Sequence, residues 1–312
     1  MEALAEVARL GSYRAAAKSL GYTQPAISYR MRALERALGV TLAVKSGRSA
    51  QLTPAGIKLA RRAEGLLASL RAVEREFQRH AGAAGQGLTI AAIRSANATI
   101  IPRAVARLHA ECPGVAVTLT EASCADSYSL LRAGHADLAL MWEMDSIEAG
   151  QRLLVPDPEM LRIPLAVDRK CVLLPLRHAL AARESVRLED LANEYWVIEN
   201  DRLYFQEACR SAGFQPRVIA TTDDQHTMRN LVARGVGVAM TDGLGVAASS
   251  PSEDVAVCLL DECPPRHIFG LVWPDMAKLP AVAALIEALR STTRESFPDQ
   301  PVGAQAAWVS AL

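Results

Sequence analysis

The sequence predicts an α/β protein in three successive parts: a small helical head, one long helix, and two units of alternating strands and helices. Short helices separated by glycines open the chain. Apolar residues then recur at helical spacing from Leu59 to Phe77, and short apolar runs alternate with helical segments after Leu88. This alternation favours parallel sheets covered by helices. The 312 residues suffice for two or three domains with buried cores.

The composition favours a cytoplasmic protein without membrane association. No apolar run reaches the roughly 18 residues of a membrane span. Arg9 and Arg14 interrupt any signal-peptide pattern at the N-terminus. The six cysteines include no Cys-x-x-Cys pair, which fits a reducing compartment better than a disulfide framework.

Motifs of catalysis and of cofactor binding are missing from the sequence. There is no Gly-x-Ser-x-Gly and no His-Glu-x-x-His. Gly235 and Gly237 follow a predicted helix and enter a strand, which is the wrong order for a dinucleotide loop. We therefore expect no catalytic residues, no metal and no cofactor, although a catalytic triad can be dispersed along a chain.

The net charge of zero hides an uneven distribution. Residues 1–60 contain nine Lys/Arg and three Asp/Glu, a net charge of +6, which leaves −6 for the remainder. A basic head on an acidic body suits phosphate binding at one end of the molecule. The charge pattern therefore points to nucleic acid as a partner of the head.

The strongest local pattern predicts one helix between Thr23 and Gly39. Thr23 offers an oxygen to the first free backbone N–H groups, and Pro25 lies in the first turn, where its missing N–H is not needed. Gly39 ends the helix. The apolar face consists of Ile27, Met31, Leu34 and Leu38, and the face able to reach bases and phosphates consists of Gln24, Ser28, Tyr29, Arg30 and Arg32.

The flanking segments complete a helix-turn-helix with a wing. Ser12 can cap a preceding short helix, and Gly21 turns the chain into the next one. Extended runs at 41–44 and 51–53 surround a glycine-containing turn and predict a hairpin whose Arg48 meets phosphate. The alternative interpretation is a small three-helix core with solvated charges.

These residues resemble the N-terminal domain of LysR-type transcriptional regulators, a winged helix-turn-helix. The resemblance implies that Gln24, Ser28, Tyr29 and Arg30 read the major groove beside Pro25, and that Thr23, Arg32 and Arg48 hold phosphates. The motifs that carry it are Gly11-Ser12-Tyr13, Ala16-Ala17, Leu20, Thr23-Gln24-Pro25-Ala26-Ile27-Ser28, Leu34-Glu35, Leu38-Gly39, Leu42, Arg48 and Leu52-Thr53-Pro54-Ala55-Gly56.

Two features depart from that family. Ala43 and Lys45 stand where the family usually has Phe and Arg, so we expect a more loosely packed wing. The family also usually has several residues before the position of Met1, so we expect either a short first helix or a start further upstream.

The long helix carries a heptad seam. Leu59, Ala63, Leu66, Leu70, Val73 and Phe77 step by four and three residues alternately, and charged residues fill the other faces. The seam predicts dimerisation, as the resemblance also implies; the alternative is a helix packed on its own domain. The segment 81–87 is rich in Gly and Ala and is expected to be a hinge.

The rest of the chain resembles the effector domain of the same family. The motifs are Ile101-Pro102, Pro113, Leu131 with Gly134 and Asp137, His178-Ala-Leu-Ala181, Leu188-Glu-Asp-Leu191, Ala212-Gly213-Phe214 and Leu231-Val232-Ala233-Arg-Gly235-Val-Gly237. The resemblance implies two Rossmann-like α/β subdomains, similar to periplasmic solute-binding proteins and joined by strands near 164–168 and 265–269.

The predicted domains follow from these parts. Residues 1–58 form the winged head, 59–87 the linker helix and hinge, and 88–293 the effector domain. Subdomain I comprises about 88–164 and 268–293, and subdomain II about 165–267. Residues 294–312 are expected to be a loose tail, because the chain is Pro- and Ala-rich from about Phe297.

A ligand is expected between the subdomains, at the carboxyl ends of strands. The loop after the first strand offers Ser95 and Asn97 before a helix N-terminus, where a carboxylate could bind. Capping is the favoured role for Asn97 and Thr99. The resemblance places Ser95, Cys124, Asp201 and His226 where family members hold inducers, and Arg202 could pair with an anion unless Asp201 neutralises it.

The leading hypothesis is a DNA-binding transcriptional regulator that responds to a small-molecule inducer, possibly a carboxylate. By resemblance it works on double-stranded promoter DNA as a homodimer or homotetramer, with RNA polymerase as a further partner. The first alternative is a thiol-redox-sensing regulator of the same family, with Cys124 or the Cys258/Cys263 pair as candidates. The second is a solute-binding protein or enzyme without DNA function.

Overall fold

The computed structural model describes residues 1–46, 49–81, 87–144, 157–200, 203–247, 254–261 and 263–296. Several predicted features lie wholly or partly outside these ranges: most of the hinge at 81–87, Arg48 in the wing, Asp201 and Arg202 beside the cleft, and the tail beyond residue 296.

Helices and strands alternate along most of the chain. The helices are α1 (Glu2–Leu10), α2 (Tyr13–Ser19), α3 (Gln24–Leu38), α4 (Pro54–Ala81), α5 (Arg94–Ala98), α6 (Ile100–Glu111), α7 (Cys124–Arg132), α8 (Leu203–Ser211), α9 (Gln225–Ala233), α10 (Gly243–Ala247), α11 (Pro274–Ala277) and α12 (Pro280–Ser296). The strands are β1 (Ala43–Ser46), β2 (Ser49–Leu52), β3 (Gly87–Ala92), β4 (Ala116–Glu121), β5 (Leu138–Met144), β6 (Leu161–Asp168), β7 (Lys170–Pro175), β8 (Ser185–Arg187), β9 (Tyr195–Ile198), β10 (Arg217–Thr221), β11 (Val238–Asp242), β12 (Val255–Asp261) and β13 (Arg266–Val272).

Helices α1 to α3 form the head around one apolar core. Ser12 and Thr23 cap α2 and α3 as predicted, because each side-chain oxygen accepts a backbone N–H at 3.4 Å, from Ala15 and Ala26. Gly39 ends α3 with a φ of 66°, which glycine adopts without strain. The core residues are Leu4, Val7, Ala16, Ile27, Met31 and Leu42.

The wing is the predicted hairpin. Strands β1 and β2 pair antiparallel, with Ala43 opposite Leu52. The N–H of Ala50 donates to the carbonyl oxygen of Gly11 at 2.9 Å, which joins the wing to the end of α1.

Helix α4 begins at Pro54, earlier than the boundary at residue 59 that the seam predicts. Thr53 acts as its cap, because its Oγ1 accepts the N–H of Gly56 at 3.0 Å. Gly56 itself lies against the wing: a Cβ at this position would stand 2.0 Å from the carbonyl oxygen of Leu42. The linker helix therefore starts in backbone contact with the head.

The predicted seam of α4 divides into two parts. Ala63 is buried within this chain, as the own-domain packing alternative requires. Leu66 and Leu70 are 62% and 54% exposed, so the described part of one chain leaves both side chains largely uncovered. The side chains of Val73 and Phe77 lie outside the described part of the structure.

Two sheets form the effector domain. The first has the strand order β4-β3-β5-β13-β6, and the second β10-β9-β11-β7-β12-β8. The predicted parallel pairing holds for β3 with β4 and β5, and for β9 with β10 and β11. Strand β13 instead pairs antiparallel with β5 and β6, because the chain returns to the first sheet from the second.

The chain passes between the sheets at two places. Strand β6 ends at Asp168 and β7 begins at Lys170, and β12 ends at Asp261 before β13 begins at Arg266. Both crossings therefore bring charged residues to the boundary between the subdomains. Among the helices of the described ranges, none has the length and apolarity needed to cross a membrane.

Candidate nucleic-acid surface and ligand cleft

Helix α3 turns its predicted polar face to solvent. Ile27 and Met31 are buried on the opposite side, which fixes the rotation of the helix. Tyr29 is 63% exposed, an unusual placement for a large aromatic side chain. The exposed face comprises Thr23, Gln24, Pro25, Ser28, Tyr29, Arg30 and Arg32, of which Ser28 is half-buried.

Local contacts position two arginines on this face. The Arg30 guanidinium lies 4.1 Å from the centre of the Tyr22 ring, a cation–π distance. Arg32 Nε donates to the carbonyl oxygen of Ser28 at 3.3 Å. Both side chains stay exposed, so their remaining N–H groups can reach a phosphate or a base edge.

Glu35 connects the wing to α3, a role that the sequence analysis missed. Its Oε1 accepts the backbone N–H groups of Leu42 and Ala43 at 2.8 and 3.2 Å. One half-buried carboxylate thus sets the position of the wing relative to the exposed helix face. The predicted phosphate contact Arg48 lies outside the described residues.

A buried ionic network occupies the boundary between the subdomains. Arg266, 6% exposed, donates from Nε to Asp168 at 2.8 Å, and its Nη1 lies 2.9 Å from Asp242. Its Nη2 donates to Ser95 Oγ at 2.9 Å. Lys170 Nζ lies 2.6 Å from the second oxygen of Asp242. The network therefore joins predicted ligand residue Ser95 to the crossing strands.

The pKa values of the two carboxyl groups in this network are shifted in opposite directions. Burial raises the pKa of Asp168 above its ordinary value, although Arg266 opposes the shift. Burial would also raise the pKa of Asp242, but the charges of Lys170 and Arg266 outweigh it and the pKa is lowered. Asp242 therefore supplies the more firmly held negative charge.

Arg94 bridges the cleft. Its Nε donates at 2.9 Å to Glu121, at the end of β4 in the first sheet. Its Nη1 donates to the carbonyl oxygen of Asp223, which follows β10 in the second sheet. Glu199 follows β9 and accepts from Gln225 at 2.7 Å. The Glu199 side chain is exposed, but partial desolvation by the surrounding protein, together with the charge of Asp242, raises its pKa.

The predicted capping roles of Asn97 and Thr99 are wrong. Asn97 lies within α5, and its Nδ2 donates backwards to the carbonyl oxygen of Ala92 at 3.2 Å. Thr99 precedes α6 but its hydroxyl donates to the carbonyl oxygen of Ser95 instead of accepting from the helix. The short helix α5 occupies the predicted loop and carries Ser95, and both side chains donate to backbone carbonyl oxygens at or just before this helix.

Cys124 begins α7 close to the network. Its Sγ lies 3.7 Å from the carbonyl oxygen of Trp142 and accepts the N–H of Trp142 at 3.5 Å. Burial raises the pKa of the thiol, while the charge of Arg266 opposes the shift. Cys124 thus lies near Arg266, which also contacts Ser95, and its raised pKa makes the thiol less readily ionised than usual. Its predicted role in holding an inducer stays a prediction.

The structure does not bring the other predicted ligand residues into the ionic network. His226 is exposed in the first turn of α9, next to the capping Asp224. Asp201 and Arg202 lie outside the described residues. The structure adds Arg266, Asp168, Asp242, Lys170 and Glu199, which the sequence analysis did not assign to the cleft. Within the described ranges, no group of three or more His, Cys, Asp or Glu side chains could hold a metal ion.

Comparisons with known proteins match both halves of the chain. Residues 1–57 match the model of the bacterial regulatory helix-turn-helix protein, lysR family, and residues 81–294 match the LysR substrate binding domain. The HTH-type transcriptional regulator ShiR of Corynebacterium glutamicum is 32% identical over 261 residues, covering 80% of this chain and 83% of ShiR. A probable hydrogen peroxide-inducible genes activator of Streptomyces viridosporus is 29% identical over 310 residues, covering 97% and 95%.

Solved structures share the fold. Full-length OxyR from Pseudomonas aeruginosa, in a mutant form, has a TM-score of 0.59 at 20% identity and covers 96% of this chain and 97% of its own. CbnR, a LysR family regulator solved in complex with its target DNA, has a TM-score of 0.50 at 21% identity, covering 94% and 98%. With its helix-turn-helix head and two-sheet effector domain, the chain belongs to the LysR family of transcriptional regulators.

Proposed function

We propose that the exposed face of α3 binds double-stranded promoter DNA. The observation that carries this proposal is the pair of exposed arginines, Arg30 and Arg32, on a helix whose other side is fixed in a core. In this arrangement Gln24, Ser28, Tyr29 and Arg30 read base edges in the major groove. Thr23, Arg32 and Arg48 hold phosphates, Pro25 lies beside the groove-reading residues, and the head's charge of +6 supplies the attraction.

Binding to a promoter fragment at increasing salt tests this proposal. Neutralising several phosphates makes the affinity fall steeply, by roughly tenfold or more between low and moderate ionic strength. An affinity that does not respond to salt would contradict phosphate binding by the head.

We infer that a small-molecule effector binds in the cleft that Ser95, Asn97, Cys124, Asp201, Arg202 and His226 were predicted to line. The described cations Arg266, Lys170 and Arg94 already lie beside carboxylates. A carboxylate effector would therefore compete with Asp168 or Asp242, or meet Arg202. A ligand with both donors and acceptors fits this balanced polar surface best.

The proposed division of labour follows the predicted domains. Residues 1–58 bind DNA, 59–87 carry the linker helix and hinge, and 88–293 hold the effector, with 294–312 as a tail. The exposed Leu66 and Leu70 support association through α4, as a dimer or tetramer. We propose that the protein acts in the cytoplasm and that RNA polymerase is a further partner.

A thiol-redox switch is the second candidate, because one relative is named as a probable hydrogen peroxide-inducible activator. The pKa shifts count against it: burial raises the pKa of Cys124 and of Cys258, and reactive thiols have lowered values. Mass spectrometry after mild peroxide treatment distinguishes a thiol-redox switch from a response to a small-molecule effector. An intramolecular disulfide would favour the redox switch, and unmodified thiols would favour the effector.

A further inference from the structure

Helix α4 docks onto the effector domain through a small buried contact. Glu64 and Gly65 on α4 face Arg132 at the end of α7 and Trp273 directly after β13. Glu64 is 7% exposed and Trp273 is 3% exposed. We call these four residues the docking contact.

The polar half of the docking contact is a partly buried ion pair. Arg132 Nε donates to Glu64 Oε2 at 2.6 Å. The Arg132 guanidinium also lies 5.5 Å from the centre of the Tyr128 ring, which keeps it on one side of α7. A carboxylate buried on a linker helix is unfavourable unless it is paired. The pair therefore requires α7 to remain beside α4.

The apolar half is a close approach that glycine permits. A Cβ on Gly65 would lie 3.0 Å from Trp273 Cζ3 and 3.1 Å from Cε3, tighter than ordinary packing. A hydrogen bond also fixes the Trp273 indole, because its Nε1–H donates to the carbonyl oxygen of Leu131 at 3.3 Å. Trp273 therefore packs directly against α4 at the position of Gly65.

Both effector-domain partners in this contact reach back to the cleft. Helix α7 starts at Cys124, beside the ionic network, and ends at Arg132. Strand β13 starts at Arg266, within the network, and ends at Val272, next to Trp273. One helix and one strand therefore run from the cleft to the docking contact.

We propose that the docking contact couples the cleft to the DNA-binding head. A change at the cleft shifts α7 or β13, which alters how firmly α4 is held and hence how the head sits on DNA. The inference rests on the proposed function. A purely structural contact would affect unfolding but would leave DNA binding unchanged.

Gly65→Ala is the first test variant. Alanine is the better helix former, so the substitution does not weaken α4 itself and acts through the added methyl group against Trp273. Arg132→Gln is the second, since it removes the charge partner of Glu64. Lys278→Gln is the control: Lys278 directly follows α11, close to Trp273 in the chain, and forms an exposed ion pair with Asp275. Wild type and variants are compared by hydrogen exchange of residues 59–67 and by dissociation from promoter DNA.

The proposal predicts faster exchange at 59–67 in both test variants and a dissociation rate changed by about 2- to 30-fold, with the control unchanged. Faster exchange with wild-type dissociation would overturn the coupling, and wild-type exchange would overturn the docking contact itself. Wild-type protein that fails to bind DNA would instead remove the proposed function, on which the inference depends.

A cleft variant closes the argument. Ser95→Ala removes the oxygen that accepts from Arg266 Nη2. Coupling predicts that it changes exchange at 59–67 in the wild-type background but adds nothing in the Gly65→Ala background, where the contact is already loosened. If Ser95→Ala leaves the rate of hydrogen exchange at 59–67 unchanged, the cleft and the docking contact are independent.

Discussion

The arginines of the exposed α3 face differ in their surroundings, and the difference predicts separate roles. Arg30 is held over the Tyr22 ring, which leaves its hydrogen-bond donors available in one orientation. Arg32 donates to the backbone of its own helix, and we propose that it contacts phosphate. This preorganisation supports the proposed base-reading role of Arg30.

Arg30→Ala is therefore expected to weaken specific DNA binding by about 1–3 kcal/mol and to relax specificity at one base pair. Fluorescence anisotropy with the promoter site and a scrambled site measures both effects. Arg290→Ala is the matched control, because Arg290 is a partly exposed arginine paired with Glu287 on α12. Equal losses on both DNA sites would assign Arg30 to phosphate instead.

Gly56→Ala is expected to destabilise the head. The new Cβ would stand 2.0 Å from the carbonyl oxygen of Leu42, so backbone must move, at a cost of about 1–3 kcal/mol. Gain in helix propensity offsets at most about 1 kcal/mol of this loss. Thermal unfolding should show an earlier transition together with loss of DNA affinity. An unchanged transition would mean that the start of α4 shifts without strain.

At the scale of elements, local signals predicted the head well and long-range signals were missed. Thr23 and Gly39 mark the ends of α3 because capping depends on adjacent backbone atoms. Arg266 and Asp168 are 98 residues apart, and nothing in either neighbourhood announces the pair. The predicted capping role of Thr99 was wrong because the five-residue α5 replaces the expected loop, and the Thr99 hydroxyl donates to a carbonyl oxygen of this helix.

The seam of α4 gives a prediction about assembly. Leu70→Glu places a charge on the exposed part of the seam and is expected to shift the protein towards monomers in analytical ultracentrifugation. Leu176→Glu, at an equally exposed leucine outside α4, should leave the assembly intact. An unchanged dimer in Leu70→Glu would mean that subunits associate through another surface.

Glu64 gives the docking contact a pH dependence of definite sign. Burial raises the pKa of Glu64, Asp157 adds to the shift, and Arg132 and Arg61 oppose it. A carboxyl whose pKa is higher when docked than when solvated favours docking on the acid side, and this contribution is lost as pH rises through the docked pKa.

Arg132→Gln should enlarge that dependence, because the main opposing charge is gone. Exchange at 59–67, corrected for its intrinsic pH dependence, is expected to slow as the pH is lowered from neutral in this variant. Adding Glu64→Gln removes the titrating group and should flatten the profile. A profile that survives Glu64→Gln would assign the effect to a different group.

At the scale of the whole molecule, the sequence predicted the order of the parts better than the contacts between them. The charge of +6 on residues 1–60 and the alternation after Leu88 were visible in the sequence and gave the head and effector domain. The contact of Gly65 with Trp273 was not visible, because a glycine in a long helix has no pattern of its own. Interfaces between domains depend on shape, which only the folded chain displays.

The most direct test of a ligand-responsive DNA-binding regulator is a footprint on the DNA upstream of its own gene at two salt concentrations. We predict a protected, partly palindromic site, as two α3 helices of a dimer require, with protection that weakens steeply as salt rises. Absence of protection even at low salt would contradict the central claim and would leave the cleft as a binding site without a DNA role.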